Sequence, residues 1–488
     1  MRVPSALQAL RLRWLRARGR YAQAAAAGRE ADLSHPASAR EVARVLVRLG
    51  QWGSLLEASP KFGGNLPAPL HTRALVFHGR AAEAETLARA AAARWPRADA
   101  RRAALAEALA APAPELALEL LGDAAPRAGL RAALLDAVGR TDEARALLST
   151  LLRAEKPESD LFLLAANLAL EGQPPLHWLN RCYAAHGLAP VDLQDAARPL
   201  SAANLRSRDG LHPVRGPLIS VLMTAHNAAA TLRAAAGSIL AQTHRALELI
   251  VVDDASGDGT ADLIAQLRRE DPRVRGLHLS RNVGTYVAKN IGLTQARGEF
   301  LTCQDADDWA HPQRLQRQLA PLLADEARVA TASRWFRLSE QGRFSSRFRW
   351  PLSVLSAASP LYRREAVQAR CGFYDSVRIE ADNEFLHRLR QNFGHRAVKV
   401  LDAPLKIWAL REGSLTTSQA TGSAAAAGVS PDRLAYADAA GRWHVDCAAQ
   451  GRAPFVEFPA AARPFPAPER IQVPPDAARE ALATAREI

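Results

Sequence analysis

The segment Leu218-Ile-Ser-Val-Leu-Met223 begins the part of the chain that decides the fold. A second apolar run, Leu247-Glu-Leu-Ile-Val-Val252, follows a helical stretch, and further strands are predicted over 274–279 and 299–303. Helices are predicted between them, over 260–269 and 287–296. Strands that alternate with helices of this length indicate a mainly parallel α/β sheet. Because ligands of such sheets bind at the carboxyl ends of the strands, we expect the chemistry there.

Polar residues follow three of the four predicted strands: Thr224, His226 and Asn227, then Asp253 and Asp254, and finally Gln304-Asp-Ala-Asp-Asp308. The three carboxylates of the last segment repel one another unless a cation or a proton neutralises them. Oxygen ligands suit Mg²⁺ or Mn²⁺, and Mg²⁺ is usually held by one or two carboxylates together with substrate phosphates. The pattern therefore predicts a divalent cation and a nucleotide or diphosphate substrate. The alternative is an acidic loop that caps the helix beginning after His311.

Several common nucleotide and hydrolase signatures are absent from the sequence. No G-x-G-x-x-G follows the first strand, which disfavours a dinucleotide-binding fold. No G-x-x-x-x-G-K-[ST] segment occurs, so a P-loop enzyme is excluded, and no G-x-S-x-G elbow supports a hydrolase triad.

Four segments of this region carry a family resemblance: Ile219-Ser-Val-Leu-Met-Thr-Ala-His-Asn227, Val251-Val-Asp-Asp-Ala-Ser-Gly-Asp-Gly-Thr260, Asn282-Val-Gly-Thr-Tyr-Val-Ala-Lys-Asn-Ile-Gly292 and Gly298-Glu-Phe-Leu-Thr-Cys-Gln-Asp-Ala-Asp-Asp308. In order and spacing they resemble the inverting GT-A-fold glycosyltransferases of the polysaccharide-synthase-like family, glycosyl transferase family 2. The resemblance implies a Rossmann-like, mainly parallel catalytic sheet. It also implies sugar transfer from a nucleotide-sugar, expected to be a UDP-sugar, to a hydroxyl of a surface-glycan or lipid-linked acceptor. The expected cofactor is Mg²⁺ or Mn²⁺.

The same resemblance implies the residues of the site. The donor-binding residues are expected to be Thr224, His226, Asn227, Asp253, Asp254, Gly284, Lys289 and Asp305. Asp305 and Asp307 are the expected metal ligands, and Asp382 is the expected base that deprotonates the acceptor. Two alternatives stay open: Asp382 could be only the N-cap of a helix, and Lys289 could be only a lysine on a helix surface. Glu380 is a possible substitute base, and Glu384 is expected to be an orienting or structural partner of the base.

The first 195 residues show helical periodicity with recurring glycine turns: Gly19-Arg20-Tyr21, Gly50-Gln51-Trp52, Gly79-Arg80-Ala81 and Gly139-Arg140-Thr141. The first three turns are spaced by 31 and 29 residues and the last by 60. This pattern resembles degenerate tetratricopeptide repeats, which bury their apolar faces by stacking. Such a region either docks a protein partner or covers one side of the next domain. We therefore predict a helical-repeat domain over 1–195, a linker over 196–216, a GT-A domain over 217–420 and a C-terminal extension over 421–488.

Composition limits the class of protein. The chain has 488 residues, of which 48% are hydrophobic and 23% charged, so a wholly disordered or fibrous protein is excluded. The 63 basic and 50 acidic residues give a net charge of +13, which reflects either solubility and Arg-rich codon use or attraction to anionic partners. The basic residues are dispersed without a nucleic-acid-binding fingerprint, so no nucleic acid partner is expected.

The four cysteines are far apart, and neither a secretory signal nor an apolar run long enough for a membrane span is found. A cytoplasmic location is expected, with a possible peripheral membrane contact through the Arg-rich helix near the start. Two other functions are weighed: a repeat scaffold that only binds ligands or partners, and a nucleotidyltransferase. The latter would normally show a Gly-rich basic loop after the first strand, which is absent.

Overall fold

The computed structural model describes residues 4–96, 99–122, 127–411, 423–424 and 428–488. Its first part is helical and contains α1 Ser5–Ala17, α2 Tyr21–Gly28, α3 Pro36–Arg48, α4 Trp52–Glu57, α5 Ala68–Phe77, α6 Ala81–Ala92, α7 Ala100–Leu109, α8 Pro114–Leu121, α9 Ala128–Ala137, α10 Thr141–Leu151, α11 Ser159–Asn167 and α12 Pro175–Ala185. Neighbouring helices pack against each other, most extensively α5 with α6, α7 with α8, α9 with α10 and α11 with α12. The apolar faces of α5–α12 form one core, and those of α1–α4 form two smaller clusters.

Four of these helix pairs turn on the same backbone motif. In each, a glycine with φ between +71° and +80° ends the first helix, and the N–H of the next residue donates to the carbonyl five residues earlier at 2.9 Å. This is the Schellman arrangement, which favours glycine because a side chain is strained at positive φ. The four glycines are those singled out in the sequence: Gly19, Gly50, Gly79 and Gly139. Classification of these pairs as tetratricopeptide repeats stays a prediction.

The second part is an α/β region. Its strands are β1 Val191–Leu193, β2 Leu205–Ser207, β3 Ile219–Ala225, β4 Leu247–Asp253, β5 Val274–His278, β6 Phe300–Asp305, β7 Trp309–Ala310, β8 Ala330–Ser339, β9 Phe344–Ser345, β10 Val354–Leu355, β11 Leu361–Arg363, β12 Val398–Leu410, β13 Ser423–Ala424, β14 Gly428–Val429 and β15 Arg486–Glu487. Its helices are α13 Leu232–Leu240, α14 Thr260–Glu270, α15 Thr285–Thr294, α16 Arg314–Ala324, α17 Arg364–Cys371, α18 Ala381–Phe393, α19 Pro431–Ala449 and α20 Pro475–Thr484.

The main sheet has the strand order β15-β5-β4-β3-β6-β11-β8-β12-β7, with β9 and β10 paired to β8. Strands β5, β4, β3 and β6 are parallel, as are β8 and β12, and the remaining pairs are antiparallel. The chain runs from β3 to β4 to β5 and then crosses back to β6 on the other side of β3. This reversal creates a crevice at the carboxyl ends of β3 and β6, where open α/β sheets bind ligands.

The helical part and the α/β part share one apolar core, to which Phe336, Phe344 and Ile407 of the sheet contribute. Polar contacts cross the same boundary: the side chain of Asn167 exchanges two 2.8 Å hydrogen bonds with the backbone of Phe344. At the first turn, a Cβ added to Gly19 would lie only 2.4 Å from that of His395. The helical part therefore packs tightly on the α/β part.

Helix α19, which lies near the end of the chain, packs against α2 and α4 near its beginning. The carboxylate of Asp438 accepts hydrogen bonds from the backbone N–H of Gly53 and Ser54 at 2.9 and 3.0 Å, and from the Ser54 hydroxyl at 2.9 Å. Val445 completes a small core with Val45 and its neighbours. Asp438 thus caps the N-terminus of α4 from another part of the chain.

The predicted order, an all-α region followed by a mainly parallel α/β sheet, is confirmed. The predicted domain boundaries stay predictions. The four cysteines are buried and free. Among the described residues, none of the helices combines the length and the apolar character that a bilayer span requires.

Candidate active site

Two predicted site residues meet where β3 and β6 end. Thr224 lies opposite Asp305 in the parallel register of these strands. The Thr224 hydroxyl is 2.7 Å from that of Thr285 in the first turn of α15. The crevice at the sheet reversal is therefore lined by a hydroxyl and a carboxylate from neighbouring strands.

The exposed residues His226 and Asn227 follow β3 directly. The Nδ1 atom of His226 lies 2.8 Å from the carbonyl oxygen of Asp254. Asn227 has φ of +50°, and its side-chain oxygen accepts a hydrogen bond from the Gly257 N–H at 2.9 Å. These bonds hold the loop after β3 against the loop after β4, with the imidazole at the rim.

Asp253, the last residue of β4, and Asp254 directly after it are both buried and hydrogen-bonded. Asp253 is fully buried, and its oxygens contact the Ser256 N–H at 3.1 Å and the His278 Nδ1 at 2.7 Å. Asp254 accepts hydrogen bonds from the N–H groups of Val283 and Gly284 at 2.7 and 2.8 Å. Burial raises the pKa of Asp254, although these N–H groups act in the opposite direction. Both aspartates therefore brace the loops that form the crevice, and their contact with a donor stays a prediction.

The turn that Asp254 holds is also tied to the segment before α18. Gly284 has φ of +79°, and a Cβ there would lie 3.2 Å from the Arg378 side chain. The Arg378 guanidinium donates to the Asn282 side-chain oxygen at 2.6 Å. Gly284 thus allows the close approach that links the turn held by Asp254 to the segment that carries Asp382.

Asp305 lies between two buried lysines. One carboxylate oxygen accepts from Lys289 at 3.0 Å, and the other from Lys406 at 2.9 Å. Lys406 also contacts Asp308 at 2.7 Å. Although burial acts in the opposite direction, the two lysines lower the pKa of Asp305, whereas burial raises that of Asp308. Lys289 is only 3% exposed, so it is not a helix-surface lysine.

Asp307 is contacted by one cation among the described residues, whereas Asp305 is contacted by two, although the Asp307 side chain is the less exposed of the two at 18% against 32%. Its Oδ2 contacts the Arg411 guanidinium at 2.7 Å. Three carboxylates and three cationic side chains therefore meet here, so the repulsion from which a divalent cation was predicted is relieved by Lys289, Lys406 and Arg411. The alternative that the acidic loop caps the following helix is not seen either, because α16 begins at Arg314 without a side-chain cap.

Asp307 is the side chain of the acidic segment that can ligate a metal ion without losing a contact. Its side chain is partly exposed, and its Oδ1 accepts no hydrogen bond from the described residues. Asp305, the other predicted ligand, already accepts from Lys289 on one oxygen and from Lys406 on the other. In the described parts of the chain, no group of three or more His, Cys, Asp or Glu side chains is arranged to hold a metal. A cation here would therefore need most of its ligands from water or a bound diphosphate.

Asp382 is the second residue of α18, so it is not the N-cap. Its Oδ1 accepts hydrogen bonds from the Tyr286 hydroxyl at 2.8 Å and from the Asn383 N–H at 3.0 Å. Its Oδ2 accepts none from the residues that the structure describes. Burial raises the pKa of Asp382, and the nearby carboxylate of Glu380 raises it further. Asp382 is thus a partly buried carboxylate with one oxygen available and a raised proton affinity.

Glu380 and Glu384 on either side have different surroundings. Glu380 has φ of +72°, a strained value that typically costs a residue with a side chain about 1–2 kcal/mol. Its carboxylate pairs with Arg433 of α19 and accepts from the Asn383 side chain at 2.9 Å. Glu384 is buried between Arg388 at 2.5 Å and His444 at 2.9 Å. These contacts fit Glu384 to a supporting role.

The sequence analysis did not identify three residues that shape this site: Tyr286, Arg433 and Lys406. Tyr286 lies within a motif that was quoted, and its spacing three residues before Lys289 on one helix face is the signal that could have found it. Lys406 and Arg433 come from distant segments that carried no local signal. A loop over 408–416, which the family resemblance predicts to close over the donor, lies mostly outside the described residues.

Comparison with known proteins addresses the identity of this region. Residues 220–385 match the sequence profile "Glycosyl transferase family 2". These residues form a glycosyl transferase family 2 domain. The GT-A fold class expected for this domain is confirmed. The ends of β3 and β6 and the site aspartates Asp253, Asp254, Asp305, Asp307 and Asp382 lie within residues 220–385.

Two curated relatives show the extent of the similarity. The putative teichuronic acid biosynthesis glycosyltransferase TuaG of Bacillus subtilis (strain 168) is 37% identical over 103 residues, which are 21% of this chain and 41% of the relative. The succinoglycan biosynthesis protein ExoO of Rhizobium meliloti (strain 1021) is 40% identical over 114 residues, 23% of this chain and 32% of the relative. The matches thus span about a third to two fifths of these relatives.

Among solved structures, S. aureus TarS 1–349 in complex with UDP-GlcNAc aligns with a TM-score of 0.36 and 17% identity, over 45% of this chain and 64% of that one. The mannosyltransferase PcManGT from Pyrobaculum calidifontis in complex with GDP-Man and Mn²⁺ aligns with a TM-score of 0.33 and 16% identity, over 52% and 69%.

Proposed function

We propose that the protein is an inverting glycosyltransferase that uses a nucleotide-sugar, in the first place a UDP-sugar. The acceptor is a hydroxyl of a surface glycan or a lipid-linked glycan. The observation that carries the proposal is Asp382, a carboxylate with one oxygen available and a raised pKa, linked through Tyr286 to the helix that carries Lys289 and the Asp305 cluster. The family 2 domain and the two named glycan-biosynthesis relatives support the class of reaction.

The donor is expected at the β3–β6 crevice. Thr224, His226 and Asn227 provide a hydroxyl, an imidazole face and a polar rim for the nucleoside. Asp254 and Gly284 hold the surrounding loops in place. Lys289 positions Asp305 toward the ribose, since the carboxylate is fixed on both oxygens.

The chemical step needs a base on the acceptor side. Asp382 takes the proton of the acceptor hydroxyl while that oxygen attacks the anomeric carbon of the donor and the nucleoside diphosphate leaves. Tyr286 donates to Oδ1 and so directs the available Oδ2 toward the acceptor. A single displacement of this kind inverts the anomeric carbon and requires no covalent enzyme intermediate.

Mg²⁺ or Mn²⁺ is expected to be held by Asp307 together with the donor diphosphate. When bound, the ion supplies charge neutralisation for the leaving diphosphate. Of the three cations in the cluster, Arg411 has the most exposed side chain and is the one expected to approach the diphosphate, whereas Lys289 and Lys406 stay paired with Asp305 and Asp308.

A peripheral contact with an anionic lipid surface is proposed for α1. Leu7, Leu10 and Trp14 are 54%, 60% and 47% exposed at helical spacing, and Arg11 and Arg13 are exposed on the same helix. Exposed apolar side chains flanked by arginines suit the interface of a membrane with anionic headgroups. A protein partner for the remaining helical region stays a prediction.

Binding of UDP and of UDP-sugars, measured by calorimetry with and without Mn²⁺, tests the donor site. The variants are Asp307→Ala and, as a matched control, Asp262→Ala, an exposed carboxylate on α14. We expect Mn²⁺ to tighten binding to the wild type and to the control, but not to Asp307→Ala. Failure of every nucleotide and nucleotide-sugar to bind with Mn²⁺ present would instead favour a scaffold without a donor site.

A further inference from the structure

Two tryptophans and an arginine form a cluster on the main sheet, close to the acidic segment that follows β6. Trp335 and Arg337 lie on β8, and Trp408 lies on β12. The two indole rings meet edge to face with centroids 4.5 Å apart. The Arg337 guanidinium lies 4.6 Å from the Trp408 ring and 5.7 Å from the Trp335 ring. All three residues are partly exposed, so this tryptophan–arginine cluster is an accessible aromatic surface around one positive charge.

The tryptophan–arginine cluster lies toward the same edge of the sheet as Asp305. Strand β11 pairs antiparallel with both β6 and β8, so β6 and β8 run in the same direction. Tyr362 of β11 lies opposite Leu301 of β6 and Ala330 of β8. Asp305 comes four residues after Leu301, and the cluster residues of β8 come five and seven residues after Ala330. At about 3.3 Å per residue, the cluster begins near the height of Asp305 and extends about 10 Å beyond it.

The tryptophan–arginine cluster also shares a face of the sheet with Lys406. Residues in register on neighbouring strands point to the same face, and so do residues two apart on one strand. Lys406 is in register with Trp335, and Trp408 is in register with Arg337. Phe336, between the two cluster residues of β8, packs on the opposite face in the core shared with the helical part. The cluster therefore lies on the face where the lysine contacts the acidic segment.

Both indoles are held in place by neighbouring hydrogen bonds. The N–H of Ala409, directly after Trp408, donates to Asp308 at 3.2 Å. The indole N–H of Trp335 donates to the carbonyl oxygen of Leu355 at 3.0 Å. Rings that are fixed before a ligand arrives lose little entropy when it binds. Sugar rings present C–H faces that pack on such aromatic surfaces.

Arg337 is a half-buried cation without an anionic partner in the described parts of the chain. Its Nε is buried and has no hydrogen-bond partner there, and no carboxylate there forms an ion pair with it. Burial and the neighbouring cations Arg347 and Arg433 lower its pKa to about 10. By contrast, Arg334 of the same strand contacts Asp402 at 3.3 Å. Because buried charges in proteins are normally paired, the Arg337 guanidinium suits an anion that a ligand supplies.

We propose that the tryptophan–arginine cluster is the subsite for a sugar ring that carries a carboxylate. Trp335 and Trp408 pack on the ring, and Arg337 contacts the carboxylate. A carboxylate is favoured over a phosphate, because one guanidinium matches its single charge, whereas a phosphate monoester carries nearly two charges.

The position of the subsite fits the order of groups in a nucleotide-sugar. The predicted nucleoside-binding residues follow β3 and β4, and β8 and β12 lie on the other side of β6 from them. A sugar ring on the tryptophan–arginine cluster is thus beyond the diphosphate expected at Asp307. It is either the glycosyl group of the donor or the terminal ring of the acceptor. This inference deepens the proposed function and rests on it, because the subsite presupposes a nucleotide-sugar.

Calorimetry on the full-length protein with Mn²⁺ tests the preference for a carboxylate. The donor pair is UDP-glucuronate and UDP-glucose. The acceptor pair is an oligoglucuronate and an oligoglucoside of equal length, each measured in the presence of UDP. We expect the acidic member of at least one pair to bind about tenfold tighter than the neutral member, since charge-assisted contacts to guanidinium are strong. The pair that shows the preference tells whether the acidic ring belongs to the donor or to the acceptor.

Matched variants locate the binding. Arg337→Met should abolish the tenfold preference, and Trp335→Ala should weaken both members of that pair about tenfold. Neither variant should change the affinity for UDP. The controls are Arg343→Met, an exposed arginine between β8 and β9, and Trp95→Ala, a half-buried tryptophan of the helical part. Neither control should alter binding of any probe.

Thermal unfolding of the unliganded protein separates a ligand-binding arginine from a structural one. An unpaired cation that is partly buried loses hydration without gaining a partner. Arg337→Met should therefore leave the midpoint of unfolding unchanged or raise it. A clearly lowered midpoint would mark the guanidinium as a structural group and overturn the proposal.

Three binding results would also overturn it. One is equal binding of the acidic and neutral members in both pairs although UDP binds normally, and another is a preference that persists in Arg337→Met. The third is weaker binding of UDP itself to Arg337→Met, which would assign the guanidinium to the diphosphate. Failure of the wild type to bind UDP is a different result, since it would refute the proposed function and remove the subsite with it.

Discussion

Replacement of the buried Lys406 by methionine tests the charge cluster at the end of β6. Lys406 is 3% exposed, and its ammonium lies 2.9 Å from Asp305 and 2.7 Å from Asp308. Methionine keeps most of the side-chain volume but removes the charge. Asp305 keeps Lys289, whereas Asp308, which is 2% exposed, loses the cation that it contacts.

The expected cost follows from stranding a buried carboxylate. Removing one partner of a buried ion pair typically destabilises a protein by about 3–5 kcal/mol. At about 2–4 °C per kcal/mol for a domain of this size, the midpoint of thermal unfolding should fall by roughly 6–20 °C. Lys399→Met is the matched control, because Lys399 is an exposed lysine on the same strand. Its effect should stay within about 0.5 kcal/mol.

The dependence on pH has a definite sign. Burial raises the pKa of Asp308 in the folded protein above its ordinary value near 3.9. Such a group stabilises the fold fully below its unfolded pKa, and this contribution is lost as pH rises through the folded pKa. Without Lys406 the pKa of Asp308 in the folded protein rises further. The loss of unfolding free energy in Lys406→Met should therefore be larger at pH 8 than at pH 5.

Two further measurements complete this test. Asp308→Asn in the Lys406→Met background should recover more than about 1 kcal/mol, because the amide keeps an acceptor for the Ala409 N–H and has no charge to strand. Millimolar Mn²⁺ should stabilise Lys406→Met more than the wild type, since the cation can take the place of the ammonium. If Lys406→Met unfolds within about 1 kcal/mol of the wild type at pH 8, the interpretation of the cluster as a buried ion network is refuted.

Four other predictions concern the base, the carboxylate beside it, the packing of α19 on α4 and the first helix. Asp382→Asn should lower the rate of sugar transfer about 10²- to 10⁴-fold with UDP affinity retained, and a variant with a tenth of wild-type activity would exclude Asp382 as the base. Since Glu380 helps to raise the pKa of Asp382, Glu380→Gln should move the acidic limb of the pH–rate profile to lower pH; an unmoved or raised limb would contradict the assignment. Asp438→Ala should cost about 1–2 kcal/mol of unfolding free energy through loss of the α4 cap, whereas Asp446→Ala, which removes an exposed ion pair on the same helix, should cost under about 0.5 kcal/mol; equal effects in urea unfolding would argue against the cap. Trp14→Glu should reduce sedimentation with anionic phosphatidylglycerol vesicles without altering UDP binding, and unchanged sedimentation would remove α1 as the lipid contact.

The parts of the fold that the sequence predicted are those with a local cause. Strand β4 was predicted over 247–252 and spans Leu247–Asp253. The prediction was possible because a continuous apolar run is typical of a strand that is buried on both faces of a parallel sheet. The turns at Gly19 and Gly139 were predicted because few residue types other than glycine readily adopt a positive φ. The hairpin of α7 and α8 has no such glycine, and it was not singled out.

The charge cluster shows why the site was only partly predictable. The acidic segment indicates that positive charge lies nearby. The sequence does not reveal whether a metal ion or cationic side chains supply that charge. Lys406 reaches Asp305 because β12 pairs with β8 and with β7 across about a hundred residues of chain. No local pattern encodes that pairing. Arg433 likewise belongs to a segment in which no chemistry was predicted, yet it contacts the residue two before the proposed base.

The packing of α19 on the first helices has a consequence for the order in which the protein is made. The small core around Val45 is completed by Val445. At about 5–20 residues per second, a ribosome needs roughly 20–80 s to synthesise the ~400 residues between them. During that interval the first hairpins emerge with an apolar face open. The hairpins around Val45 are therefore synthesised well before α19, but their packing is complete only after α19 has emerged. Until then, the nascent chain is open to misassociation or chaperone capture at these hairpins.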